Sequence, residues 1–172
     1  MPDTAGMDRE ADERRELLLD YLNAQRHHVL GIVDGLTEEQ LRRPVLGSGW
    51  SCMGMLSHLA LDIEDFWFTA VVAGRGFEVH TAPNAWHVPD DVPAMRMLDR
   101  YRAAILRSDS VIGSTAVGAP PGWWPPDLFG DWRMEDLGEV MLHVMAETAC
   151  HAGHLDAVRE LLDGRQWMVL TD

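Results

Sequence analysis

Lysine is absent from the chain, and all 14 basic residues are arginine. Schiff-base catalysis, lysine-anchored pyridoxal phosphate and the standard phosphate loop are therefore excluded, since each needs a lysine amine. Cysteine is scarce: Cys52 and Cys150 are the two thiols, so no disulfide scaffold is expected. Positive charge is in deficit. Against 14 basic residues stand 28 acidic ones, for a formal net charge of −14. Nucleic acid and anionic membranes are poor partners for such a chain, because phosphate binding needs clustered positive charge. No apolar run approaches the ~18 residues of a membrane span. The opening Met1-Pro2-Asp3-Thr4 is polar and lacks the basic and apolar regions of a signal peptide, which predicts a cytoplasmic protein. Several motifs are also missing: His-Glu-x-x-His, paired Cys-x-x-Cys, Gly-x-Gly-x-x-Gly and Gly-x-Ser-x-Gly. Without a base partner for Ser48 or Ser51, serine catalysis has no support.

What is present is helical periodicity. The 172 residues are the size of one domain, expected over 1–172 with a core at about 8–164. A first helix is predicted over about 8–33, with Leu17, Leu18, Tyr21, Leu22, His28, Val29 and Ile32 on one face. Thr37-Glu38-Glu39-Gln40 is a capping box that starts one short turn, stopped before Pro44. Ser51 caps a second long helix running to about residue 73. Two more helices are predicted over about 94–112 and 135–163, with Gly164 as the stop of the last. The proline- and tryptophan-bearing stretches 77–92 and 113–132 read as long loops. Strand alternation and hairpin turns are absent. The pattern predicts an all-α four-helix bundle, a fold whose sites sit between facing helices.

Chemistry concentrates on the last helix. His143, Glu147 and His151 step by four residues, which drifts only ~40° per step, and His154 projects between Glu147 and His151. The stripe continues through Val140, Leu155 and Val158, so a core-facing side is expected. A carboxylate among buried histidines is costly unless something compensates it, and a divalent metal would. One helix rarely wraps a metal alone. The second helix offers His58, an imidazole in the aliphatic run Met55-Leu56-Ser57-His58-Leu59-Ala60. His58, Glu147 and His151 would make a two-histidine, one-carboxylate set with open positions, suited to Zn²⁺, Ni²⁺ or Fe²⁺. The plainer alternative is a polar stripe satisfied internally, without metal.

Other residues carry less. Asp62, one turn beyond His58, is read as a solvated helix residue, with orientation of the His58 ring as the second reading. His28 is expected to pack, and His80 and His87 to be exposed in their loop. Cys52 and Cys150 are both read as structural, Cys150 as a buried inert thiol. Trp50, Trp86, Trp123, Trp124 and Trp132 fall in loops or at helix ends, where they either roof a pocket or cover the end of the bundle.

Ser48-Gly49-Trp50-Ser51, His58-Leu59 and the run Glu147-Thr148-Ala149-Cys150-His151-Ala152-Gly153-His154 resemble the DinB-like superfamily, in the branch similar to mycothiol-dependent maleylpyruvate isomerase. The resemblance covers about residues 8–164. It implies an up-down-down-up bundle and a divalent metal, often zinc or nickel. The metal would be held by a histidine of the second helix and a His-x-x-x-His or Glu-x-x-x-His pair of the last. In this chain those positions are His58, Glu147 and His151. Many members carry histidine where this chain has Glu147, so His154 either replaces or supplements it. Characterised relatives use a low-molecular-weight thiol such as mycothiol in S-transferase or isomerase reactions.

The expectation is therefore a metal-dependent thiol transferase or isomerase in which the metal activates the thiol and His154 or His143 moves a proton. The alternatives are a metal-dependent hydrolase and a non-catalytic metal-binding stress-response bundle. The expected partners are a small-molecule thiol and an electrophile, with neither nucleic acid nor membrane; a homodimer is compatible with the bundle.

Overall fold

Five helical segments build the molecule in a computed structural model that describes residues 4–75 and 85–168. Helix α1 spans Thr4–Val33, the short α2 Glu38–Arg42, α3 Cys52–His58, α4 Ala94–Ser114 and α5 Leu137–Asp163. No strand occurs among the described residues. Local sequence sets the boundaries as expected. Thr37 closes a capping box with Gln40, the Ser51 hydroxyl accepts from the Gly54 N–H, and Gly164 ends α5 with φ of 77°.

The second long helix departs from expectation. It starts as α3, but from Leu59 to Val72 it continues as a π-helix. The wider turn is visible at its end, where the Ala73 N–H donates to the Phe68 carbonyl five residues back, at 2.9 Å. Nearly every side chain of this stretch is buried, as befits a rod at the centre of the bundle. His58 is the last residue before the turn widens. Single π turns recur at functional sites, and here the change of pitch falls at a candidate ligand.

Contacts between elements fix the topology. The Arg14 guanidinium lies against Gly138, and Arg159 donates to the carbonyls of Ile32 and Asp34, so α1 and α5 run parallel. His58 faces His151 and Trp67 faces His143, so the second helix runs against α5. Arg107 pairs with Asp65 and Ser108 reaches the Glu64 carbonyl, while α4 begins near α2, so α4 follows the direction of the second helix. The order of the long helices is up-down-down-up.

Two corrections concern α1. Leu17 and Tyr21 are 56% and 59% exposed rather than in the core. Their expected place on the inner face is taken by Arg26, which is fully buried and donates through Nε and Nη2 to both oxygens of the buried Glu64, at 2.8 and 2.7 Å. Arg26 also donates to Asp109 of α4 at 2.8 Å, so one guanidinium ties α1, the π-helix and α4.

The loop after α4 closes one end. Gly122 and Trp123 donate their N–H groups to the carbonyls of Val72 and Val71, which the end of the π-helix would otherwise leave unpaired. Glycine at 122 permits this close approach, since a Cβ there would lie 3.0 Å from the Val72 oxygen and force the neighbouring backbone to give. This docking sets Trp124, Phe129 and Trp132 around Trp67, with ring centroids 5.5–6.1 Å from it.

Candidate functional site

His58 and His151 meet at the seam between the second helix and α5. Their ring centroids are 5.0 Å apart and their planes nearly perpendicular. The Nδ1–H of His58 donates to Asp62 Oδ2 at 2.8 Å, one turn along the same helix. Asp62 is thus an orienting carboxylate and not a merely solvated residue. The bond fixes the tautomer, leaving the Nε2 lone pair as the acceptor of that ring. Trp86, delivered by the loop before α4, stacks on His58 at 4.2 Å with an interplanar angle of 16° and meets His151 edge-on at 6.0 Å.

Glu147 sits one turn before His151, with its Oε2 3.6 Å from His151 Nε2. That is too long for a hydrogen bond. His151 Nδ1 is buried with no hydrogen-bond partner. Burial, with help from the neighbouring His58 and against the pull of Glu147, pushes the His151 pKa down to about 4. His151 is therefore neutral at pH 7, the state in which imidazole ligates metals.

A cavity of about 380 Å³ opens beside these residues. His58, Asp62, Glu147 and His143 line its polar side, and Leu61, Phe66, Trp67 and Phe129 its apolar side. The His143 ring lies edge-on to Trp67 at 4.7 Å and 5.4 Å from Trp132. Burial lowers its pKa, partly offset by Glu147, so this imidazole is neutral as well.

The stripe on α5 is therefore a flank and not the core face. The core face runs through Val140, Val144, Thr148, Ala152 and Leu155, all buried, while His143, Glu147 and His151 are half-buried beside it. His154 is exposed, with its ring 5.9 Å from that of His151 and its Nδ1 3.9 Å from Cys150 Sγ. Cys150 is exposed rather than buried. Cys52 is buried as expected, and burial pushes its thiol up to about 11. His28 packs against the chain's end and accepts from the Trp167 indole N–H at 3.1 Å. His87 is exposed, and His80 lies outside the described residues.

One feature escaped the sequence. No periodicity marks which loop tryptophan covers which helix, so the Trp86–His58 stack had no signal. His143 was already singled out by its four-residue step from Glu147, and it lines the cavity where His154 does not.

Among the described residues, no group of three or more His, Cys, Asp or Glu side chains is placed where it could hold a metal ion. The donor chemistry nonetheless fits a divalent cation. Two imidazoles, one donating through Nδ1 to Asp62 and one with an orphaned buried nitrogen, stand beside a carboxylate and an open cavity.

The model of the mycothiol S-transferase family matches residues 17–164, which takes in all of α2 to α5 and most of α1. No curated protein and no solved structure matches the chain. The all-helical bundle is consistent with the DinB-like superfamily. The match covers far more than half of the sequence, and the chain belongs to the mycothiol S-transferase family.

Proposed function

We propose that the protein is a mycothiol-dependent S-transferase whose site is built on His58, Glu147 and His151. Within a chain of this family, His58 and Glu147 line an apolar cavity while His151 meets the His58 ring at 5.0 Å and lies 3.6 Å from Glu147, and this juxtaposition supports the reading. The two imidazoles and the carboxylate would hold the cation, zinc or nickel by donor type. A divalent cation bound there supplies the positive charge that favours thiolate over thiol at neutral pH.

The chain's own residues supply the rest. Asp62 keeps the His58 ring from turning, and Trp86 covers its face. The wall of Leu61, Phe66, Trp67 and Phe129 holds an apolar electrophile and excludes water from it. The thiolate sulfur attacks the electrophilic carbon, a C–S bond forms and the bond to the leaving group breaks. For a ring-opening electrophile the departing oxygen needs a proton. His143 lines the cavity and His154 does not, so the placement favours the neutral His143 imidazole as the group that accepts the proton released by the thiol and passes it to the departing oxygen.

The test is turnover of mycothiol with a fluorogenic electrophile on metal-loaded protein. The wild type should consume both, and His58→Ala neither. His143→Ala should lose about a hundredfold in kcat for a substrate that needs protonation, while His154→Ala stays near wild type. An inactive wild type across thiols and electrophiles would refute the S-transferase reading, and activity surviving in His58→Ala would refute the site.

A further inference from the structure

Trp86 borders a second cavity, one that shares no lining residue with the first among the described residues. It measures about 410 Å³ and is lined by Ser48, Gly49, Trp50, Trp86 and His87. A smaller hollow of about 200 Å³ adjoins it, sharing Gly49, Trp86 and His87 and adding Ser51 and Asp90 among its walls. The shared wall is held in place. A Cβ at Gly54 would lie 2.4 Å from the Trp86 carbonyl oxygen, so glycine there is what lets the Trp86 backbone rest on α3.

The two cavities differ in chemistry. The first is walled by aliphatic and aromatic side chains with polar groups along one side. The second sets two indoles, Trp50 and Trp86, at 6.4 Å and 56° to each other, among a serine hydroxyl, an imidazole and a glycine backbone. A saturated ring bearing hydroxyls matches that mixture. Its C–H face packs on an indole, and its O–H groups find donors and acceptors at the edge. Charge argues for a neutral ring. Arg42, at the margin, is already held by Glu38 at 2.8 Å and has Asp90 within 3.8 Å, which leaves little positive field for a phosphate or carboxylate.

We propose that the cavity of Trp50, Trp86 and His87 binds a neutral polyol ring, and that its occupant is the sugar-like arm of the thiol cosubstrate. Mycothiol carries its cysteinyl thiol on a pseudodisaccharide of glucosamine and inositol, so one molecule has both parts. Trp86 would then serve two contacts, against His58 and against the polyol. The apolar cavity is left to the electrophile. The identity of the occupant rests on the S-transferase reading; polyol binding as such does not.

The experiment is calorimetric titration with three probes: mycothiol, N-acetylcysteine, and the thiol-free N-acetylglucosaminyl-inositol, whose nitrogen is acylated and uncharged as in mycothiol. It compares the wild type with Trp50→Ala, His87→Ala and Ser48→Ala. Ser48 and His87 are exposed, so those two variants keep the fold if Trp50→Ala does not. The thiol-free pseudodisaccharide should bind the wild type, about tenfold more weakly to Trp50→Ala and several-fold more weakly to His87→Ala. N-acetylcysteine should bind all four alike, and metal content should not change. No binding of the pseudodisaccharide, or binding indifferent to all three substitutions, would overturn the proposal. The two readings fail separately. Trp50- and His87-dependent polyol binding without mycothiol turnover keeps this site and removes S-transfer. Turnover with an unchanged KM for mycothiol in the variants keeps S-transfer and removes this site.

Discussion

Asp62 does its work through one hydrogen bond. With Nδ1 of His58 donating to it, the ring cannot flip without breaking a contact of 2.8 Å. A carboxylate behind a ligating imidazole also raises the basicity of its other nitrogen. Asp62→Asn keeps the shape and weakens that hold. Metal affinity, read by competition with a chromogenic chelator, should fall about 10- to 100-fold while the fold is retained. An unchanged affinity would mean that His58 needs no orienting partner. His151 is the other half of the pair, and its buried, unpartnered Nδ1 is the kind of group a folded protein does not carry without a reason.

At the scale of elements, the Arg26–Glu64–Asp109 cluster positions the π-helix between α1 and α4. Only Ile63 separates Glu64 from Asp62, so the same clamp limits how the segment bearing Asp62 can rotate. Tyr101 lies in this region with its hydroxyl buried and unpartnered, and burial beside Glu64 raises its pKa well above the usual value. Removing one partner of a buried pair leaves the other charge unpaired. Arg26→Met should therefore cost about 3–5 kcal/mol in urea unfolding, and adding Glu64→Leu should restore much of it. A double variant no more stable than the single one would show that the cluster is not the source of the loss.

This clamp also marks the limit of what periodicity reveals. Caps, stops and the four long helices were legible, because Thr37, Ser51 and Gly164 act through neighbours three or four residues away. His58, Glu147 and His151 could be proposed for the same reason, as ligand-type residues at helical spacing on two elements. Arg26 was not, because a charged residue is read as solvated unless its partner is known, and Glu64 is 38 residues distant. The π turn was not, since a helix buried on all sides has no polar face by which to read its pitch. The Trp86 stack depends on a loop path, to which composition gives no direction.

For the whole molecule, protonation is the simplest global probe. His151 binds a proton at about 4 when folded and near the ordinary histidine value of ~6.5 when unfolded. Between those values the unfolded chain holds a proton that the folded chain refuses. The contribution of His151 to stability is thus complete above about pH 6.5 and declines as the pH falls toward 4. Metal-free wild type should lose stability across that window relative to His151→Gln, as read by urea midpoints, with no such difference developing between pH 7 and 8. Parallel curves through pH 4–6.5 would contradict the burial of that ring. Metal should deepen the slope, because ligand imidazoles must release their protons to bind it.

The claim on which the function rests is that His58 and His151 belong to one metal centre. Metal content by plasma mass spectrometry, on untagged protein purified without chelator, tests it most directly. The account predicts about one divalent metal per chain in the wild type and in His154→Ala, and loss of it in both His58→Ala and His151→Ala. Protein that stays metal-free after incubation with zinc or nickel, or variants that keep the wild-type content, would contradict it.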